Sequence, residues 1–294
     1  MKPKSPMSAT SRHERISQLL ACEGLYTGEI NITVLEGGLW NEAVRVEAGS
    51  RTFVFKSFCA VDTLAFFPNS ALDEAKALKR LSGLAISPAF VAIWPEENLL
   101  AYEYVSGNTW RGDVEAVAQL LKRKEAADPT GFALGKLTPL ELLAEGDALF
   151  ARCRLATPPS RPVPIVIPPP SRLSLIHRDM GPNNLIGEGE ALRLIDWQCP
   201  TLGDLTEDIY SFLAPAFHIV SERTPLTPQD IKRFFQALDL PAAKARYILL
   251  APYFAWRMAA YSAWRSEMHS DPVIRARYRC ALAAESAFID THLP

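Results

Sequence analysis

Three oxygen-bearing side chains lie close together in the second half of the sequence, at Asp179, Asn184 and Asp196. Two short apolar segments, 185–186 and 192–195, flank a glycine-containing turn and predict a β-hairpin that folds Asp196 back opposite Asn184. Such hard oxygen ligands suit Mg²⁺, which keeps water and phosphate oxygens in its shell. Asn184 and Asp196 are therefore candidate metal ligands. Asp179 could accept the proton of a hydroxyl that attacks phosphorus.

His177 precedes Asp179 by two positions and could brace the loop through its ring nitrogens. Two other interpretations of this stretch stay open. One is a loop and hairpin whose carboxylates only cap the backbone. The other is a metallohydrolase that uses His177, Asp179 and Asp196, although no second histidine cluster accompanies them.

The elements that must position these residues begin with a β-rich first half. β-Branched or alternating apolar runs separated by glycines predict an antiparallel sheet, and apolar residues at helical spacing predict one helix after its third strand. The predicted strands are 32–35, 43–47, 52–58, 90–94 and 99–104, and the predicted helices are 13–20 and 73–81.

The second half is expected to be mainly helical, with a proline-rich loop over 158–170. This order of elements predicts an α+β fold of two lobes with a cleft between them. We expect an N-terminal lobe over 1–104, with 1–14 disordered, and a C-terminal lobe over 105–294. The predicted helices are 114–125, 139–154, 205–217, 228–238, 242–267 and 272–292.

Composition excludes several classes of protein. The 294 residues are 48% apolar and carry a net charge of −2, so a large core can form and no basic excess points to nucleic acid. No apolar run is long enough for a membrane helix. The first 15 residues lack the apolar region of a secretory signal; a mitochondrial presequence is the alternative to a frayed end. Five scattered cysteines indicate reduced thiols and predict a cytoplasmic protein.

Two spaced motifs follow one another in the second half. The first is His177-x-Asp179-x-x-Pro182-x-Asn184 with Ile195-Asp196-Trp197 after it, and the second is Gly203-Asp204-x-x-x-Asp208-Ile209. Together they resemble the signature of the aminoglycoside phosphotransferase/choline kinase family, which shares the protein-kinase fold. The resemblance covers about residue 15 to the C-terminus. Leu205 replaces the family's usual proline.

The resemblance implies a role for each motif residue. Asp179 matches the catalytic base, with His177 and Arg178 beside it in the catalytic loop. Arg178 departs from the small residue or asparagine usual there. Asn184 and Asp196 match the Mg²⁺ ligands, and Asp208 matches a buried acid that braces the loop. ATP is the implied phosphate donor, and GTP is not excluded.

A phosphotransferase of this kind needs a strand lysine and a helix glutamate in its first lobe. Lys56 lies in an apolar strand, where a lysine is costly unless it is paired. Glu74 lies near the start of the following helix in Glu-Ala-Lys-Ala-Leu, which matches the family's pattern. Asp73 is its rival. In the alternative interpretation, Lys56 is a strand lysine that extends its charge to solvent and Glu74 is a solvated helix acid, neither with a role in nucleotide binding.

Two more segments are expected to contact the nucleotide. Gly37, Gly38 and Asn41 belong to a turn similar to the G-G-x-x-N turn of small-molecule kinases, and its amides could touch phosphate. A plain hairpin turn is the alternative. Glu103 and Val105 belong to the predicted hinge, whose backbone would face the nucleobase.

The acceptor pocket is the least defined part of the site. Tyr253 and Trp256 share a helical face and could form an aromatic wall for a quaternary ammonium or a sugar ring; the alternative is a core helix. Asp204 and Glu207 could attract a cationic substrate, or could be acids favoured at a helix N-terminus.

These expectations favour an ATP-dependent phosphotransferase acting on a hydroxyl of a small molecule. Choline, ethanolamine, a sugar, an amino alcohol such as homoserine, or an aminoglycoside are candidate acceptors. A non-catalytic nucleotide-binding module is the main alternative. A protein kinase is disfavoured because 197–203 is short and no Ala-Pro-Glu element follows. We expect no nucleic acid or membrane partner, and a monomer or homodimer.

Overall fold

The computed structural model describes residues 9–35, 41–59 and 67–292. The chain forms two compact units. Unit 1 consists of Met1–Ser106 together with Trp197–Cys199, and unit 2 consists of Gly107–Asp196 and Pro200–Pro294. The assignment of separate nucleotide-binding and catalytic roles to 1–104 and 105–294 stays a prediction.

Unit 1 contains a five-stranded antiparallel sheet in the order β1-β2-β3-β5-β4. β2 and β3 form a tight hairpin in which Ala48 pairs with Arg51 and Ala43 pairs with Lys56. The antiparallel sheet predicted from the alternating pattern is confirmed. Its strands are β1 (Ile30–Leu35), β2 (Glu42–Ala48), β3 (Arg51–Ser57), β4 (Phe90–Trp94) and β5 (Leu99–Glu103).

One face of this sheet packs on helix α1 (Ala9–Cys22), through Ile16, Leu19 and Leu20. These aliphatic side chains bury against alternate residues of the central strands, and this burial stabilises the helix more than its intrinsic propensity does. The sequence predicts disorder over residues 1–14, whereas α1 begins at Ala9 in the structure.

Helix α2 (Ala71–Arg80) lies between β3 and β4 in the sequence. The side chain of Ser70 accepts a hydrogen bond from the Asp73 N–H at 3.1 Å, which caps the first turn. Glu74 and Ala75 face inwards on this helix, while Asp73 is exposed. The cap therefore fixes which acid of the first turn is buried.

Unit 2 is mainly helical and holds two short antiparallel strand pairs, β6 with β9 and β7 with β8. A side chain at Gly203 would press on the end of the Ile176 side chain, which would have to move to make room for it. The helices are α3 (Val114–Lys124), α4 (Pro139–Phe150), α5 (Leu205–Leu213), α6 (Pro215–Val220), α7 (Pro228–Leu238), α8 (Pro241–Met268) and α9 (Pro272–His292), and the strands are β6 (Ser174–Ile176), β7 (Leu185–Ile186), β8 (Arg193–Leu194) and β9 (Thr201–Gly203).

Two predicted helices differ from the structure. The helix predicted over 205–217 is two helices, because Pro215 cannot donate to the helix before it and instead begins α6. The helix predicted over 139–154 ends at Phe150. The hairpin predicted around Asn184 and Asp196 is confirmed: Leu185 pairs with Leu194 and Ile186 with Arg193.

Helix α8 forms the centre of unit 2 and packs against α4, α5 and α9. Every residue from Leu250 to Arg265 is buried, so this part of the helix is enclosed by protein on all sides rather than on one face. No helix among the described residues has the length and apolar character needed to cross a bilayer.

Candidate functional site

The candidate catalytic loop follows β6 and carries His177, Arg178 and Asp179. The carboxylate of Asp208, on α5, accepts the backbone N–H of His177 at 2.9 and 3.0 Å and that of Arg178 at 2.8 Å. Asp208 is fully buried. One side chain therefore fixes two consecutive peptide groups just before the candidate base.

Lys124 neutralises this buried carboxylate. Its Nζ lies 3.2 Å from Oδ2 of Asp208 and donates to the carbonyl of Leu175 at 2.6 Å. Lys124 is 1% exposed, so its charge is stable only with such partners. The sequence analysis missed it, because Lys124 ends a basic run at the end of α3, where solvent exposure is the ordinary expectation.

His177 braces the loop as predicted from its position. Its Nδ1 accepts the N–H of Asp179 at 3.1 Å, which leaves Nε2 to donate to the carbonyl of Ile195 at 2.9 Å. Both ring nitrogens are used, and the histidine is fully buried. This arrangement joins the loop to the hairpin and argues against His177 as a metal ligand.

Asn184 and Asp196 lie at the two ends of the β7–β8 hairpin. The Asn184 amide nitrogen donates to the carbonyl of Asp179 at 2.8 Å, and the Asn184 carbonyl accepts the N–H of Ile195 at 2.8 Å. Asp196 has φ of 65°, a left-handed conformation that aspartate tolerates better than most residues. The structure thus brings Asp179, Asn184 and Asp196 onto one loop-and-hairpin unit.

Arg178 is held in a strained backbone conformation beside Asp179. Its φ is 72°, which is uncommon for a residue with a Cβ. Its Nε donates to Oε1 of Glu207 at 2.9 Å, and Arg257 of α8 donates to the same oxygen. Arg257 also pairs with Glu145 of α4 at 3.0 Å. This chain of charges connects the catalytic loop to three helices.

The charge of Glu207 is stable despite its burial. Burial by itself raises the pKa of Glu207, but Arg257 and Arg178 outweigh it and hold the pKa below its ordinary value. The predicted role of Glu207 in attracting a cationic substrate therefore has no exposed carboxylate to support it. The partnership with Arg257 was not foreseen, because nothing in the sequence pairs two residues on different helices.

Unit 1 contains the candidate lysine pair. Lys56 of β3 donates to Oε2 of Glu74 at 2.6 Å, and the two residues are 4% and 1% exposed. The structure chooses Glu74 over Asp73, which is exposed. A buried, oriented ammonium of this kind can bind phosphate oxygens.

Asn41 ties together segments of unit 1. Its side chain exchanges hydrogen bonds with Asn69 at 2.7 and 2.8 Å and donates to Oε1 of Gln198 at 2.7 Å. Gly37 and Gly38 lie outside the described residues. At the predicted hinge, Glu103 ends β5 and its carboxylate pairs with Arg51 at 2.6 Å, and the half-buried Val105 follows.

The other residues predicted for the acceptor are buried. Asp204 is the N-cap of α5, accepts the N–H of Thr206 at 3.0 Å and pairs with Arg246. It is therefore an acid at a helix N-terminus, which was the alternative to binding a cationic substrate. Tyr253 and Trp256 are each 4% exposed, and Trp256 donates to Asp147 at 3.0 Å. Both aromatic side chains therefore belong to a helix packed in the core, which was the alternative to an aromatic wall of an acceptor pocket.

Comparison with known families agrees with this geometry. The sequence model of the phosphotransferase enzyme family matches residues 31–250, well over half of the chain. The chain belongs to the phosphotransferase enzyme family. The resemblance drawn from the two motifs is thereby confirmed. No curated protein sequence matches the phosphotransferase.

Known structures with choline kinase or aminoglycoside phosphotransferase names share the fold. A choline/ethanolamine kinase family protein from Mesorhizobium loti is 14% identical, with coverage of 96% of this chain and 97% of its own and a TM-score of 0.67. Choline kinase from Streptococcus pneumoniae is 15% identical, with coverage of 93% and 98% and a TM-score of 0.62. Spectinomycin phosphotransferase, in complex with ADP and spectinomycin, is 13% identical, with coverage of 98% and 100% and a TM-score of 0.62.

At these identities the similarity establishes the fold and no more. The predicted α+β fold is confirmed: a five-stranded antiparallel sheet with a mainly helical second part, as in the kinase-like neighbours. The roles of individual site residues stay predictions.

Proposed function

We propose that the phosphotransferase moves the γ-phosphate of ATP to a hydroxyl of a small molecule. The observation that carries the proposal is the loop-and-hairpin unit. Asp208 fixes the two peptide groups before Asp179, while His177 accepts the N–H of Asp179 and Asn184 donates to the carbonyl of Asp179. A base held this rigidly can orient a hydroxyl for in-line attack. Enzymes catalyse phosphoryl transfer largely by such positioning together with electrostatic stabilisation.

Each group has a proposed task. Asp179 accepts the hydroxyl proton, and Lys56, oriented by Glu74, binds phosphate oxygens of ATP. The amide oxygen of Asn184 and the carboxylate of Asp196 are of the type that Mg²⁺ prefers, and these two residues would hold the ion. Bound Mg²⁺ would neutralise charge on the phosphates. The ADP in spectinomycin phosphotransferase supports ATP as the donor, with GTP as the alternative.

The test is ADP release from the purified protein with ATP and Mg²⁺ across a panel of small hydroxyl compounds. For Asp179→Asn we expect kcat to fall about 10²- to 10⁴-fold, because general base catalysis contributes that much. Nucleotide affinity, measured by calorimetry, and thermal unfolding should change little. Asp290→Asn, an exposed acid on α9, is the matched control and should keep wild-type turnover.

Two outcomes would contradict the proposal. Turnover by Asp179→Asn at the wild-type rate would remove Asp179 from its role. Nucleotide binding without stimulation by any hydroxyl compound would favour a non-catalytic nucleotide-binding module. We also propose a reducing compartment such as the cytoplasm, supported by five free cysteines.

A further inference from the structure

The C-terminal end of helix α3 contacts the strand that leads into the candidate catalytic loop. That strand, β6, has only three residues, so its own pairing with β9 is short. Ser174 of β6 donates to the carboxylate of Glu125 at 2.6 Å, and Nζ of Lys124 donates to the carbonyl of Leu175 at 2.6 Å. The end of α3 therefore fixes two consecutive residues just before His177.

Lys124 also faces the carboxylate that holds the loop. Its Nζ lies 3.2 Å from Oδ2 of Asp208, and the same oxygen accepts the N–H of His177 at 3.0 Å. Oδ1 of Asp208 accepts the N–H of Arg178 at 2.8 Å. An unbroken series of contacts thus runs from Lys124 through Asp208 to the two peptide groups before Asp179, and all of it lies in unit 2.

Asp208 depends on Lys124 for the compensation of its charge. Both side chains are 0% exposed, and Lys124 is the only cation within ion-pair distance of Asp208 in the part of the chain that the structure describes. A buried carboxylate without a cation is costly. A neutral carboxyl group would hold a backbone N–H more weakly than a charged one does. Lys124 therefore sustains the charge with which Asp208 binds the loop.

This ion pair is better suited to orientation than to stability. A buried ion pair often stabilises a protein no more than well-packed apolar side chains of the same volume. What the carboxylate adds is two directed acceptor oxygens, and what the ammonium adds is three donors. Around Nζ of Lys124 those donors meet Asp208, the Leu175 carbonyl and, at 3.3 Å, the carboxylate of Glu125.

From these contacts, and resting on the proposed function, we propose that Lys124 is a positioning residue for Asp179. It acts through the Asp208 carboxylate and the Leu175 carbonyl, which together set the course of the backbone into the loop. Lys124 takes no part in binding ATP or the acceptor. Because the base must be aligned with the attacking hydroxyl, a displacement of about 1 Å can lower the rate on the order of 10²-fold.

The test compares turnover with nucleotide binding in Lys124→Met. Methionine is similar in length to lysine but has neither the charge nor the donors. We expect kcat and kcat/KM for the acceptor both to fall about 10- to 100-fold, while the affinity for ATP stays within about twofold of the wild type. Calorimetry gives that affinity and the number of molecules that bind ATP. ADP release is normalised to this number, so unfolded protein does not contribute to kcat.

Phe234→Ala is the control for loss of stability. Phe234 is fully buried on α7, which packs against α3. Truncating a buried phenylalanine destabilises a protein about as much as removing one partner of a buried ion pair. Both variants should therefore unfold at a lower urea concentration, but Phe234→Ala should keep the wild-type kcat per ATP-binding molecule. Lys124→Arg retains the charge and should recover part of the lost kcat.

The double variant Lys124→Met/Asp208→Asn covers the case in which the single variant does not fold. Neither buried charge is then left without its partner, so we expect this protein to fold. The amide oxygen of asparagine holds the two backbone N–H groups more weakly than the carboxylate does. kcat should therefore remain about 10-fold or more below that of the wild type.

The results separate this inference from the proposed function. Wild-type kcat in folded Lys124→Met or in the double variant overturns the inference, and so does an equal loss of kcat in Phe234→Ala. If neither Lys124 variant with methionine folds, the role of Lys124 is structural and the inference is overturned as well. In each of these cases ADP release by the wild type leaves the proposed function intact. If no hydroxyl compound stimulates ADP release by the wild type, the proposed function fails and the inference with it.

Discussion

At the scale of single residues, Lys56 and Glu74 are buried charges that are stable only as a pair. Removing one partner of such a pair costs about 3–5 kcal/mol, because the other charge stays buried without compensation. Loss of function in a variant at Lys56 must therefore be separated from loss of stability. Neutralising both residues achieves this, since neither charge is then left behind.

We expect Lys56→Met/Glu74→Gln to unfold at a higher urea concentration than Lys56→Met alone, and still to bind ATP more weakly than the wild type. The loss follows from removing the Lys56 ammonium, which is the group of β3 proposed to contact phosphate. Calorimetry gives the affinity, and urea unfolding gives the stability. Lys122→Met, an exposed lysine on α3, is the control. Normal nucleotide affinity in a folded double variant would end the role of Lys56.

The sequence predicted the residues of the catalytic loop better than it predicted their partners. Asp179, Asn184 and Asp196 were found because their spacing within one loop and hairpin is local. Lys124 and Arg257 were missed, since each meets its partner only after distant helices pack together. Such partners carry no local pattern, and an isolated lysine or arginine in a helix usually lies in solvent.

At the scale of elements, Glu207 connects α5 and α8 to the strained residue that precedes Asp179. We expect Glu207→Gln to lower the free energy of unfolding by about 3–5 kcal/mol, because it leaves two buried arginines without their shared carboxylate. kcat should also fall, since Arg178 no longer holds the loop at φ of 72°. Urea unfolding and ADP release measure the two effects.

The control for this prediction is Glu115→Gln, which removes the partly exposed pair with Arg233. That pair is solvated, so its loss should change stability little. Equal effects of the two substitutions, or full activity in folded Glu207→Gln, would contradict a positioning role for Glu207.

Element boundaries show where sequence patterns lose information. The sheet of unit 1 was predicted because its strands alternate over five to seven residues. β6 and β9 were not predicted as strands, because three residues are too few to show a period. The break between α5 and α6 could have been predicted from Pro215 alone.

At the scale of the whole molecule, the buried carboxyl of Glu285 makes stability depend on pH. It is fully buried between Tyr210, which donates to it at 2.6 Å, and the N–H of Ala216. Burial raises the pKa of Glu285 from its ordinary 4.5 to about 7, and these two hydrogen bonds only partly oppose that rise.

We therefore expect Glu285 to lower the free energy of unfolding as pH rises. Below pH 4.5 both states keep the proton, and between 4.5 and about 7 the unfolded state releases it first. Above pH 7 or so the decrease in the free energy of unfolding is complete, and it amounts to roughly 3 kcal/mol. Urea unfolding of the wild type and Glu285→Gln across this range measures it. Buried His218, whose pKa is lowered, acts in the opposite sense but is common to both proteins.

The difference between the two proteins isolates Glu285. The stability of the wild type relative to Glu285→Gln should decline by that amount between pH 4.5 and 8. Parallel profiles would show that the carboxyl ionises normally in the folded state. A steeper decline in Glu285→Gln would reverse the sign and contradict the raised pKa.

The chain enters unit 1 a second time at Trp197–Cys199, long after its first passage has ended at Ser106. Trp197 is fully buried, and the Gln198 carbonyl accepts the N–H of Ser70 at 3.2 Å. A gene fragment that stops at Ser106 would encode all five strands of the unit 1 sheet but not the segment Trp197–Cys199. During synthesis, unit 1 can therefore complete its folding only after residues 197–199 have been translated. We expect the fragment that ends at Ser106 to be degraded or to aggregate.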